Sequence, residues 1–195
     1  METTILSICL GIGLSAACGF RVFVPLLVMN LASLSGHLTL APGFAWIGSY
    51  PATVAFAVAT VLEIAGYYIP WVDHLLDTIA TPAAIVAGSI VTASIVTDMS
   101  PFLKWTLAVI AGGGAAGVVQ GTTVVTRGAS TATTGGLGNP IVATLELIGA
   151  VLTSVLALVA SVLVVAVMVV LVFFFKRKLV RRFRSAPRRV EVATS

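Results

Sequence analysis

Long apolar runs, separated by short clusters of glycine, proline and small polar residues, set the pattern of this chain. About 20 apolar residues in a helix span the hydrocarbon core of a bilayer. On that ruler five segments appear, at roughly 4–32, 51–70, 82–99, 102–126 and 140–175. The stretches between them, SLSGHLTLAPGFAWIGSY, WVDHLLDTIATP, DMSP and RGASTATTGGLGNP, hold the residue types that end helices and start turns. The pattern predicts an all-α fold, a polytopic transmembrane helical bundle of about five membrane segments. A sixth arises if the last run, about 54 Å long as one helix, breaks near Thr153 and Ser154. WVDHLLDTIATP sets Trp71, Leu75, Leu76 and Ile79 against Asp73, His74 and Asp77, the pattern of a short helix lying in the interface. Two carboxylates and one imidazole fall short of a dedicated metal site, so a solvated polar face is the expectation there.

Small residues add an internal likeness. Gly11, Ser15 and Gly19 recur every four residues in the first segment, and Gly113, Gly117 and Gly121 do so in the fourth. Such stripes let helix backbones approach closely where lipid removes the hydrophobic incentive to associate. Downstream of each comes a second match, VATVLEIAG at 58–66 against VATLELIG at 142–149, placing Glu63 and Glu146 in corresponding helices. Three predicted crossings precede the second copy. An odd number inserts it upside down, the inverted-repeat plan of many transporters, with halves at about 4–99 and 102–175.

Composition fixes the environment. Of 195 residues 58% are hydrophobic and 9% charged, where soluble domains carry about 25% charged residues. Mean hydropathy is +1.11. A single membrane domain, 1–175, is expected, followed by a basic tail at 176–195. That tail holds Lys176, Arg177, Lys178, Arg181, Arg182, Arg184, Arg188 and Arg189. The positive-inside rule places it in the cytoplasm of a multi-pass inner-membrane protein, where it would also attract anionic lipids. Nucleic acid is not an expected partner; the bilayer, a homo-oligomer or a larger membrane complex is. Cys9 and Cys18 sit nine residues apart, about 13 Å along a helix, too far to bond to each other.

Four charges stand within or at the edges of apolar segments: Arg21, Glu63, Arg127 and Glu146. A charge at that depth costs about 2.5 to 3.5 kcal/mol on insertion scales, so each should face the protein interior and be paired. One reading pairs the arginines with the glutamates to fix the register of the bundle. The other leaves an arginine free for a phosphate or carboxylate, with Gln120, Thr122, Thr123 and Thr126 as neutral partners, because guanidinium stays charged and binds such groups bidentately. Pro25, four residues after Arg21, is the expected helix break.

GFRVFVPLL, DHLLDTIATPA, the glycine-rich helix ending in TRGAS, and TGGLGNP together resemble the bacterial membrane family catalogued as domain of unknown function 4126. The resemblance covers roughly residues 5–160. It implies an integral membrane protein and brings no activity, substrate or catalytic residues.

The sequence therefore points to a small transporter, channel or lipid flippase for an anionic substrate, with Arg21, Gln120, Thr123 and Arg127 as the binding set. The alternative is a non-catalytic scaffold subunit that packs through its glycine stripes. No enzyme and no cofactor are expected. The chain lacks a Ser/His/Asp set, an HExxH and a Cys/His cluster, and AGGGAAG at 111–117 lacks the Lys-Ser/Thr of a phosphate loop.

Overall fold

The structure is a computed structural model that describes residues 2–69 and 72–159. The end of the last apolar run and the whole basic tail lie outside the described residues. Among the described residues six long helices make up the fold: α1 (Glu2–Cys18), α2 (Phe23–Leu34), α3 (Tyr50–Tyr67), α4 (Val72–Ile95), α5 (Pro101–Thr134) and α6 (Asn139–Val159). No strand occurs among the described residues. The span of α3, Leu75–Ile95 within α4, α5 and α6 are long and apolar enough to cross a membrane. The acidic stretch expected to lie in the interface is instead the first part of α4, continuous through Pro82.

The first apolar segment is not one helix. It folds back on itself at Gly19–Val22 into a helical hairpin. The directions follow from side-chain partners. Ser15 donates to Gly88 O at 2.6 Å, and Gly11 lies against Thr92, so α1 descends along α4 as α4 rises. In α2, Asn30 meets Ile47 O, Ser49 O and Thr53 at the start of α3, while Val22 meets Glu63 near its end. Met29 of α2 and Ser94 of α4 are neighbours, so both helices end on one side. At 12 residues, α2 is about 18 Å long, too short to span a core of about 30 Å. N-terminus, α2 end and α5 start therefore share a side, and the four helices of spanning length between Tyr50 and Val159 are joined by the two shorter apolar helices α1 and α2.

Pro25 is not where the chain breaks. The break comes earlier, and Pro25 is the third residue of α2. In the first turn its missing N–H removes a donor that had no helical partner, so it fits there without a kink.

Helix α4 is the centre of the bundle and packs against both α1 and α5, which also meet each other at Gly19. Small residues make this seam. A Cβ on Gly88 would stand 2.9 Å from Gly112 O and 2.7 Å from Ala116 Cβ. One on Gly19 would stand 2.5 Å from Ala116 O. Gly113 and Gly117 face Ser89 and Ile85. A π-helical turn, Ala108–Gly113, brings both Gly112 and Gly113 onto α4. Gly121 departs from the predicted stripe, since nothing lies within 4 Å of where its Cβ would be. The helix has rotated it off the seam, and Gly112 and Gly88, which the four-residue spacing passed over, join Gly19 in the close approach.

Because the hairpin supplies an extra pass, α1 and α5 run in the same direction, both antiparallel to α4. The odd-number argument for inversion loses its basis for these two helices. The two glutamate helices do run oppositely: Gly13 lies against Ala157 and Phe20 against Gly149, so α6 is antiparallel to α1, while α3 is antiparallel to α4 as α1 is. Gly135, at φ +64°, ends α5 in the left-handed conformation, its N–H bonded to Thr131 O. It turns the chain into α6.

A candidate anion site at the hairpin tip

Non-helical backbone survives at membrane depth only where protein covers it and its polar groups are satisfied. The tip of the α1–α2 hairpin meets that condition through a distant residue. Val22 offers no side-chain cap, so Glu63 of α3 supplies one. Its Oε1 accepts from Val22 N–H at 2.8 Å and its Oε2 from Phe23 N–H at 3.1 Å. The carboxylate also meets the positive end of the α2 dipole. Glu63 is thus committed to backbone rather than forming an ion pair with Arg21, the partnership expected from the sequence.

Arg21 sits in the tip with 1% of its surface exposed. Its Nη2 donates to Ala143 O of α6 at 2.8 Å and stands 3.6 Å from Glu146 Oε2. Arg127, from α5, grips the same carboxylate with two donors: Nε to Oε1 at 3.0 Å, and Nη2 to Oε2. Arg127 Nε also lies 3.7 Å from Asp77 Oδ1. Both guanidinium carbons stand over the ring of Tyr67, at 3.8 Å for Arg21 and 4.0 Å for Arg127. Contact with the aromatic ring favours each cation.

The charges balance. Arg21 and Arg127 face Glu146 and Asp77, while Glu63 is offset by the α2 N-terminus. The hydrogen bonds do not balance. Arg21 Nε and Nη1, Arg127 Nη1, Asp77 Oδ1 and Thr60 Oγ1 are buried without a hydrogen-bond partner. Buried polar groups are nearly always bonded, and exceptions need a reason such as a water or a ligand.

The remaining predicted residues are placed as follows. Gln120, Thr123 and Arg127 lie on one buried face of α5 with Ala116. The Thr123 hydroxyl bonds to Gln120 O at 2.8 Å and so satisfies its own helix. Thr122 and Thr126 are exposed and bond to Val118 O and Thr122 O, away from the arginines. Asp73 and Asp77 do not form a solvated face. Asp73 is buried and accepts from Asn139 Nδ2 at 2.9 Å, and Asp77 joins the arginine cluster. Tyr67 and Asp77 belong to the site although the sequence alone did not single them out for it. The signal was present for Asp77, an acid four residues from Asp73 at the start of a helix, but nothing local marks Tyr67.

Beside the cluster a lateral cleft of about 330 Å³ opens between α3 and α4. Phe23, Leu62, Leu76, Ile79 and Ala83 are among its walls, and Glu63, Tyr67 and Val22 also line it.

Apolar helices of spanning length, with the shorter apolar hairpin and a buried charge cluster packed among them, define a polytopic helical membrane protein. Residues 8–181 match the family model described as "Domain of unknown function (DUF4126)", and the chain belongs to that family. The match runs past residue 160 into the first residues of the basic tail. No curated protein matches the chain, and no solved structure does.

Proposed function

We propose that this protein is a small transporter, channel or lipid flippase that handles an anionic group at Arg21 and Arg127. One observation carries the reading. Arg21, at the tip of the α1–α2 hairpin, keeps two buried donor nitrogens, Nε and Nη1, with no acceptor. A planar, permanently charged fork with free donors is built to receive carboxylate or phosphate oxygens. Interrupted helices whose ends meet near the middle of the membrane are a recurrent plan for substrate sites in transporters. The likeness of the halves supports this, with any inversion carried by α3 and α6, which run oppositely and deliver Glu63 and Glu146 to one cluster. The chemistry is binding and release, with no catalytic step or cofactor. The end bearing Lys104 is assigned to the cytoplasm with the basic tail, by the positive-inside rule, and the tail rests on anionic lipids of the inner membrane.

The second reading is a scaffold within a larger membrane complex. The charge balance of Arg21 and Arg127 against Glu146 and Asp77 favours it, because a closed, dry network fixes helix register without any ligand. The test reconstitutes Arg21→Lys and Arg21→Gln in vesicles and measures folding together with uptake or flipping of a labelled anion. Transport predicts that both variants fold, that Lys retains part of the activity and that Gln loses it. Unfolding of Arg21→Gln, rescued by adding Glu146→Gln with anion handling intact, would establish the scaffold.

A further inference from the structure

Resting on the reading of Arg21 and Arg127 as an anion site, we infer that the anion is the head of a lipid, entering sideways between α3 and α4 with its acyl chain in the cleft. The cleft's volume of about 330 Å³ lies within the range of small-molecule sites, about 300 to 1,000 Å³. Its walls are apolar and include Leu62 and Ile79, both more than half exposed, so it opens on the outer flank of the last turns of α3 and the first turns of α4, where an apolar helix face meets lipid. A water-soluble anion gains nothing from such a wall, whereas an acyl chain does.

Polarity appears only at residues shared with the arginine cluster. Tyr67 lines the cleft and is the ring on which both guanidiniums stand. Val22, the neighbour of Arg21, lines it too. The unpartnered Thr60 hydroxyl lies one helical turn from Glu63 on the buried face of α3. The path from apolar cleft to free arginine donors is therefore one side chain thick, and rotation of Tyr67 joins them. Glu63 does not oppose an anionic head as a bare carboxylate would, because two backbone N–H groups and the α2 dipole already hold it. The complementary charge is the pair of Arg21 donors, and the complementary surface is the cleft.

The experiment compares thermal unfolding of the full chain in detergent with added phosphatidylglycerol, phosphatidylcholine or inorganic phosphate, with bound lipid counted by native mass spectrometry. Phosphatidylglycerol should raise the midpoint by about 5 °C over phosphatidylcholine, the shift expected for near-saturating ligand in a chain of this size. Ala83→Trp fills the cleft and should abolish that increment while leaving any phosphate response in place. Ala59→Leu, on the opposite wall, narrows the same cleft with a smaller change and should reduce the increment, which keeps the test decisive if the tryptophan variant does not fold. Arg21→Gln should remove both responses. A phosphate response with no preference for phosphatidylglycerol would overturn the lipid inference and leave the anion site standing. A phosphatidylglycerol increment that persists in both cleft variants would overturn it as well. No response to either anion would sink this inference and the anion site together.

Discussion

The seam between α1, α4 and α5 and the cluster at the hairpin tip are both buried, yet they are finished to different degrees. In the seam, polar groups find each other. Ser15 bonds Gly88 O and Thr92, Ser89 bonds Ile85 O, and Ser94 bonds Val91 O. Glycines bring backbones together, and no buried polar atom of these residues is left over. In the cluster, charge is neutralised but five polar atoms remain without hydrogen bonds. Leaving a buried donor unmade costs about 1 to 3 kcal/mol. This contrast, one interior completed and the other not within the same bundle, is what the proposed anion site rests on.

Four substitutions sharpen or break that contrast. The largest effect is expected from Arg127→Gln, which leaves Glu146 without its bidentate partner. Removing one member of a buried pair costs about 3 to 5 kcal/mol. Adding Glu146→Gln should restore most of the loss in a thermal unfolding series, and no recovery would mean the pair is not what holds α5 to α6. Next comes Gly88→Leu. Its side chain would enter the space of Gly112 O and Ala116, and overpacking costs about 1 to 3 kcal/mol, at times more. A variant as stable as the wild type would show that the seam is looser than its distances imply.

Glu63→Ala removes the tertiary cap of α2. The loss of an N-cap acceptor costs about 0.5 to 2 kcal/mol, and hydrogen exchange at Val22 and Phe23 should accelerate while the seam stays protected. Equal acceleration throughout would tie the tip and the seam into one cooperative unit. The smallest effect is expected from Gly121→Leu, within about 0.5 kcal/mol of wild type as for other substitutions on open surface. A large loss in detergent would reveal a second surface that covers this side of α5.

Much of the bundle could be read from apolar run lengths, because spanning a bilayer sets a length that composition reveals. The charged residues of the site could be read too, since Arg21, Glu63, Arg127 and Glu146 stand out against apolar neighbours. Their partnerships could not. Glu63 was expected to meet a cation, but the hairpin break exposes N–H groups that no local residue caps, and these compete for the same carboxylate. That break had no visible cause at Pro25 because proline is comfortable in a first turn, and the chain turns instead where Gly19 must press against α5. Gly121 shows the limit of spacing as evidence. A stripe gives a face, but the π-helical turn at Ala108–Gly113 decides which glycines face α4.

The cap on the hairpin tip also has a consequence for biogenesis. Glu63 follows Phe23 by 40 positions, so α1 and α2 leave the ribosome well before the residue that closes their junction. At about 5 to 20 residues per second, the interval is roughly 2 to 8 seconds. During it the donors of Val22 and Phe23 must be hydrated or held by the insertion machinery, and Arg21 has neither Tyr67 nor Glu146 beside it. The hairpin therefore cannot settle at its final depth when it is made. It is seated only as α3 arrives, and Arg21 is completed only with α6, so the buried charge cluster closes only when the last described helix is in place.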